Sequence, residues 1–103
     1  VKGRPLTRFV YASSSSVYGD HVAIPMREDA MVQPLSPYGV TKLAAEHLCL
    51  LYTANYGVPT VSLRFFTVYG PRQRPDMGFH RFMRAALDRT PITLYGDGEQ
   101  TRD

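Results

Sequence analysis

The chain has little of what several common protein classes require. Cys49 is the only cysteine among 103 residues, which excludes an internal disulfide and a metal site made of several thiolates. No apolar run approaches the ~20 residues that a membrane-spanning helix needs, and no signal peptide opens the sequence. We therefore expect a cytoplasmic protein that needs neither a metal nor a membrane.

Two further features limit the function. The pattern G-x-G-x-x-G, which binds dinucleotide phosphates, is missing, because Gly96-x-Gly98 has no third glycine. The net charge is only +3, although seven arginines fall in the last forty residues. Those arginines could contact phosphates, but no nucleic-acid-binding module accompanies them. The phosphates could belong to a small molecule or to nucleic acid, and because no recognised module is present we expect no nucleic-acid partner.

Residues 8–13 and 58–68 predict two buried strands, because both are short apolar runs rich in β-branched and aromatic side chains. Between them, Ser36 is a good N-cap, Pro37 suits the first helical position, and Gly57 offers a helix stop. A strand, a long helix and a second strand predict a βαβ unit of a parallel sheet.

Beyond the second strand, residues 79–87 carry apolar side chains in helical spacing, and residues 92–95 predict a short strand. A parallel sheet needs more than two strands and cover on both faces. We therefore expect the chain to be an internal piece of a longer protein, lacking both its amino-terminal and its carboxyl-terminal part.

The predicted long helix places Tyr38 and Lys42 four residues apart, on one face of its first turns. An ammonium fixed beside a phenol favours the ionised phenol, so the pair suits proton transfer. Residues 13–16 are serines at the carboxyl end of the first strand, the edge where open α/β sheets bind ligands. We expect Glu46, one turn beyond Lys42, to face solvent, and Cys49 to fill core.

Four sequence blocks follow one another and cover essentially the whole chain. They are YASSSSVYG at 11–19, SPYGVTK at 36–42, LRFFTVYGPR at 63–72 and YGDGEQTRD at 95–103. In this order they resemble the extended short-chain dehydrogenase/reductase family, and within it the NAD-dependent epimerases and dehydratases of sugar nucleotides. The UDP-glucose and UDP-glucuronate 4-epimerases are the most similar branch. The resemblance implies an α/β fold with part of a Rossmann-type parallel sheet, one βαβ unit, and the start of a substrate-binding domain.

The resemblance implies a catalytic trio of Ser14, Tyr38 and Lys42. Tyr38 matches the tyrosine that takes the proton from the sugar 4-hydroxyl while hydride passes from C4 to nicotinamide. Lys42 matches the lysine that hydrogen-bonds the nicotinamide ribose and favours the ionised phenol. Ser14 matches the residue that hydrogen-bonds the 4-oxygen and helps to relay its proton.

Binding residues for the cofactor NAD and for a UDP-sugar are also implied by the resemblance. Those at NAD are Ala12, Ser13, Tyr38, Lys42 and Phe65. Those at the UDP-sugar are Ser14, Ser15, Thr67, Tyr95 and Arg102. Thr67 stands where many 4-epimerases have asparagine, which leaves the identity of the sugar open.

By the same resemblance, residues 1–70 would be the carboxyl-terminal part of an NAD-binding domain, and residues 71–103 would begin a substrate-binding region. The implied full-length enzyme is a homodimeric UDP-sugar 4-epimerase, of which this piece would be inactive by itself. A nucleotide-sugar 4,6-dehydratase or a UDP-glucuronate decarboxylase is an alternative, although residues 14–16 are serines where dehydratases usually have Thr-Asp-Glu. A non-catalytic nucleotide-sugar-binding protein is an alternative of another class.

Overall fold

The computed structural model describes residues 3, 5–20 and 22–99. The chain divides into two compact units, Val1–Phe66 and Thr67–Asp103. The first unit contains the sheet and the long helix, and the second contains a shorter helix and its flanking loops.

The first unit is built on two parallel strands, β1 (Phe9–Ser14) and β2 (Thr60–Phe65). They pair from Phe9↔Thr60 to Ser14↔Phe65, so both strands end at the same edge of the sheet. A single turn of 3-10 helix (Ser15–Val17) follows β1, and the long helix α1 (Pro37–Tyr56) connects the strands. The predicted α/β class and βαβ unit are confirmed, with β2 shorter than the predicted 58–68.

The ends of α1 are those that its sequence predicts. The Ser36 hydroxyl accepts a hydrogen bond from the Gly39 amide at 3.0 Å, and Pro37 occupies the first turn. At the other end, Gly57 adopts a φ of 64°, and its amide donates to the Thr53 carbonyl at 3.0 Å. Glycine adopts this left-handed backbone conformation without strain, because it has no Cβ atom.

The buried face of α1 differs from its apolar face. The buried residues of the helix are Gly39, Glu46 and Cys49, which confirms the expectation for Cys49. The large apolar side chains Leu48 and Leu51 are 58% and 46% exposed. Gly39 lets the helix approach the chain closely, because a Cβ atom there would lie 2.5 Å from the Ser16 carbonyl oxygen.

The hydrophobic core of the first unit lies between β1, the 3-10 turn and α1. Val17 is completely buried, and Tyr18 is 3% exposed. Among the described residues of this unit, Val58, just before β2, and Cys49 on α1 are the other buried apolar side chains. Val17 and Tyr18 therefore lie just beyond the carboxyl end of β1, whereas Val58 lies at the amino ends of the two strands.

The second unit contains the helix α2 (Gly78–Asp88), which confirms the predicted helix. The Tyr69 and Phe79 rings pack with their centroids 5.3 Å apart. The strand predicted at residues 92–95 is wrong: the segment is irregular, and the described sheet contains only β1 and β2. A short apolar segment becomes a strand only where a neighbouring strand satisfies its backbone hydrogen bonds. No described helix is long and apolar enough to cross a membrane.

Candidate active site

The carboxyl end of β1 presents small polar residues beside the first turns of α1. Ser13 and Ser14 are 4% and 9% exposed. The Ser14 hydroxyl accepts a hydrogen bond from the Ser16 amide at 3.2 Å and donates one to the Ser16 hydroxyl at 3.2 Å. Ser14 therefore caps the 3-10 turn. Ser15, half-buried, is the first residue of that turn.

Lys42 connects α1 to this strand end. Its ammonium donates to the Ala12 carbonyl at 2.9 Å. The same nitrogen lies 5.6 Å from the centre of the Tyr38 ring and 5.3 Å from the centre of the Tyr11 ring, within the range of cation–π attraction. Tyr38 itself is 55% exposed, so its hydroxyl is accessible to a ligand.

The structure brings part of the sequence-predicted site together. Lys42, Tyr38 and Ala12 form one contact group, and Phe65 is aligned with Ser14 in the sheet at the same edge. Among the described residues, the Ser14 hydroxyl makes its hydrogen bonds with Ser16 and none with Tyr38.

The remaining predicted binding residues lie elsewhere in the chain. Thr67 and Tyr95 belong to the second unit, and Tyr95 is 72% exposed. Arg102 lies outside the described residues.

An ion pair between a buried carboxylate and a half-buried guanidinium lies one helical turn beyond Lys42. Glu46 is 6% exposed, so the expectation that it faces solvent is wrong. Its carboxylate accepts from the Arg64 guanidinium, with Nη2 2.8 Å from Oε2 and Nε 3.0 Å from Oε1. The Ser13 hydroxyl donates to the same carboxylate. The side chain is buried because these partners replace the water that a carboxylate would otherwise need.

Arg64 extends this network to two further parts of the unit. Its Nη1 donates to the Tyr18 hydroxyl at 3.0 Å and to the Glu28 carbonyl at 3.1 Å. The guanidinium carbon also lies 4.8 Å from the centre of the Tyr18 ring. Hydrogen bonding to Arg64 holds the pKa of Glu46 below its ordinary value, against the opposing effect of burial.

Sequence reasoning missed this pair, although two signals for it were present. Glu46 lies four residues after Lys42, so both project from the same face of α1. Arg64 is the only charged residue of its strand, and a charged side chain placed between uncharged neighbours in a sheet needs a partner.

The polar groups at the sheet edge suit a ligand rich in hydroxyl oxygens. An ammonium carries three hydrogen-bond donors, and Lys42 uses one of them on Ala12. Among the described residues no other hydrogen bond of Lys42 is found, so two donors remain for a ligand beside the exposed Tyr38 hydroxyl.

The chain is a parallel βαβ unit with a Tyr-x-x-x-Lys pair at the carboxyl edge of its sheet. This arrangement is typical of α/β proteins that bind ligands at that edge. The chain belongs to the NAD dependent epimerase/dehydratase family, whose family model matches residues 1–103. The resemblance stated from the four sequence blocks is thereby confirmed.

Individual relatives are similar over almost the whole chain. The uncharacterised UDP-glucose epimerase YtcB of Bacillus subtilis (strain 168) is 57% identical over 95 residues, covering 92% of this chain and 30% of that protein. The UDP-glucuronate 4-epimerase of Thermodesulfobacterium geofontis (strain OPF15) is 45% identical over 97 residues, covering 93% of this chain and 30% of that protein.

A solved structure is equally similar. The crystal structure of UDP-glucuronic acid 4-epimerase from Bacillus cereus, in complex with UDP-glucuronic acid and NAD, matches with a TM-score of 0.88 and 54% identity. The match covers 98% of this chain and 32% of that one. The chain thus spans about 30% of the length of its curated relatives.

Proposed function

We propose that this chain carries the catalytic residues of an NAD-dependent UDP-sugar 4-epimerase. The observation that carries the proposal is the Lys42 ammonium, which contacts the Ala12 carbonyl and the ring of an exposed Tyr38. The likeness to a UDP-glucuronic acid 4-epimerase solved with UDP-glucuronic acid and NAD supports it.

The residues at the sheet edge fit NAD. The two unused donors of Lys42 suit the hydroxyls of a ribose, and Ala12, Ser13 and Phe65 would offer their main chains to the nicotinamide ring. When bound, NAD supplies the hydride exchange with C4 of the sugar.

The chain's own residues supply proton transfer and positioning. Tyr38 removes the proton from the sugar 4-hydroxyl and later returns one to the 4-oxygen, so it acts first as base and then as acid. Lys42 would bind the nicotinamide ribose and holds its positive charge 5.6 Å from the centre of the Tyr38 ring. Ser14 holds the 4-oxygen; its hydroxyl, now directed to Ser16, needs only rotation about one bond to donate to a substrate.

The substrate-binding residues are proposed on the same basis. Besides Ser14, they are Ser15, Thr67, Tyr95 and Arg102. Tyr95 would pack on uracil, and the planar guanidinium of Arg102 would bind the diphosphate in a bidentate manner. Residues 1–70 would belong to the NAD-binding domain and residues 71–103 to the beginning of the substrate-binding region.

The dehydratase alternative is less favoured by the residues at the strand end. Elimination of water from a sugar needs a carboxyl acid and a carboxylate base near C5 and C6. Ser14, Ser15 and Ser16 offer hydroxyls only at the positions where related dehydratases carry such a pair.

A second copy of the same protein is the proposed partner. The outer face of α1 exposes large apolar side chains in helical spacing, with Val40 52%, Leu48 58% and Leu51 46% exposed. Packing this face against the same face of a second copy would remove it from water, as in a two-fold symmetric dimer.

The proposed reaction is tested with the full-length protein, UDP-glucuronic acid and UDP-glucose as separate substrates, and no added NADH. We expect the 4-epimer of one of them to accumulate to equilibrium, as followed by proton NMR of the sugar. Release of a 4-keto-6-deoxy sugar would favour a dehydratase instead. A protein that binds the UDP-sugar without changing it would favour the non-catalytic alternative.

A further inference from the structure

Glu46 and Lys42 contact consecutive residues of β1 from successive turns of α1. Lys42 donates to the Ala12 carbonyl at 2.9 Å, and Glu46 accepts from the hydroxyl of Ser13. The next residue along the strand is Ser14. One helix face therefore holds the last part of β1 at two adjacent points, immediately before the hydroxyl that the proposed reaction uses.

Arg64 fixes Glu46 in turn. It binds the carboxylate through Nε and Nη2, and its Nη1 binds the Tyr18 hydroxyl and the Glu28 carbonyl. A guanidinium held by four acceptor atoms on three residues has little freedom, because its donors lie in one rigid plane. The chain of contacts runs from β2 through Arg64 and Glu46 to Ser13.

We propose that Glu46 and Arg64 are positioning residues of the site, which together fix the register of α1 against β1 and thereby place Lys42 and Ser14 relative to Tyr38. This inference rests on the proposed function for its effect on turnover. The placement of Lys42 can be measured without it.

Two features argue against a proton-carrying role for Glu46. Both carboxylate oxygens are engaged by Arg64, so protonation would break charge-assisted bonds in a buried place. The described hydrogen bonds also contain no link from Glu46 to Ser14 or Tyr38, since Ser14 bonds only with Ser16. Glu46 therefore acts through the backbone of Ser13 and through α1.

The first test uses Glu46→Gln in the full-length protein, because glutamine keeps the shape of the side chain and removes its charge. We expect kcat to fall by about tenfold or more, since small misplacements of reacting groups carry penalties of this size, with KM for the UDP-sugar little changed. The control is Asp29→Asn. It also replaces a carboxylate paired with an arginine by a neutral amide, but in the exposed pair with Arg27, so kcat should be unaltered.

Arg64→Lys is the second variant, in case Glu46→Gln does not fold. Lysine keeps the positive charge beside Glu46 but cannot reach Tyr18 and the Glu28 carbonyl at the same time. We expect an intermediate loss of kcat. Wild-type kcat in whichever of the two variants folds would overturn the proposal, even if the melting temperature fell, because stability alone would then be the role of the pair.

The second test does not depend on activity. Acetylation of Lys42 by acetic anhydride, followed by peptide mass spectrometry, reports how firmly the ammonium is held at Ala12. We expect faster acetylation of Lys42 in Glu46→Gln than in the wild type or in Asp29→Asn, with circular dichroism showing that all three are folded. Equal rates in all three would overturn the proposal. An inactive wild type with the expected rates would contradict the proposed function and leave the positioning role supported.

Discussion

Within the part of the chain that the structure describes, Lys42 makes one hydrogen bond, and its partner is the backbone carbonyl of Ala12. Its position therefore depends on the path of β1 as much as on α1. Tyr38, by contrast, is an exposed side chain whose hydroxyl has no hydrogen bond among the described residues. At the scale of single residues, the cation is fixed by the fold and the phenol is left available.

The first prediction concerns the phenol. Tyr38→Phe in the full-length protein should lower kcat by about 10²–10⁴-fold, the usual contribution of a general acid–base group. The melting temperature should not change, because the exposed hydroxyl bonds no described residue. The measurement is epimer formation by NMR. Tyr52→Phe on the same helix is the control, and a similar loss there would contradict a specific role for Tyr38.

A second residue-scale prediction concerns Gly39. Alanine normally favours a helix over glycine by about 0.5–1 kcal/mol. Gly39→Ala should nevertheless destabilise the protein by about 1–3 kcal/mol, because the new methyl would meet the Ser16 carbonyl and Pro34. Thermal melting of the full-length protein measures it.

The matched control for this prediction is Gly78→Ala, also at a helical glycine. There the new methyl would meet only the Phe82 ring, at an ordinary 3.8 Å. Gly78→Ala should not lower the melting temperature. Equal effects of the two substitutions would show that the close approach at Gly39 is without consequence.

At the scale of elements, α1 buries a charged residue, Glu46, against the sheet and exposes several large apolar side chains. Gly39 and Glu46 lie on the buried side, whereas Leu48 and Leu51 are exposed. A helix is normally expected to direct its apolar stripe to the core. Here the ion pair with Arg64 allows the reverse, because it satisfies the buried carboxylate.

The third prediction concerns the pH dependence of this helix–sheet contact. Glu46 has a lowered pKa in the folded protein, so its ionised form stabilises the fold above the ordinary pKa of 4.5. That contribution is lost as the pH falls through the lower, folded-state value. Glu46→Gln should therefore lose less stability than the wild type between neutral pH and about pH 3. Urea unfolding across this range measures it, and parallel curves would refute the assignment.

At the scale of the whole molecule, the 103 residues bury little apolar surface. Among the described side chains only Val17 is completely buried, and large apolar residues such as Phe65, Leu94 and Met31 are about half exposed or more. The chain also spans only about 30% of the length of its relatives.

The fourth prediction follows from that exposure. Produced by itself, the 103-residue chain should unfold without a sharp transition and should bind the dye ANS, which reports exposed apolar surface. It should also bind NAD weakly or not at all, because it contains no G-x-G-x-x-G turn. Calorimetry and dye fluorescence make the measurements. Cooperative melting with micromolar NAD binding would contradict the prediction.

The sequence predicted those elements well whose formation depends on neighbouring residues alone. The Ser36-Pro37 start and the Gly57 stop of α1 agree with the structure because capping involves only neighbouring residues. The strand predicted at 92–95 failed because strand formation depends on a partner elsewhere in the chain. For the site, spacing placed Tyr38 and Lys42 together, but Glu46 was misjudged because its partner Arg64 lies in β2.

The sequence by itself determined the βαβ order, the limits of α1 and the Tyr38–Lys42 pair, since helical periodicity, caps and spacing are local properties of the chain. Only the tertiary structure decided which face of α1 is buried. It placed Lys42 on the Ala12 carbonyl and Glu46 between Ser13 and Arg64. These contacts join residues from 18 to 33 positions apart, and such distances close only when the helix packs on the sheet.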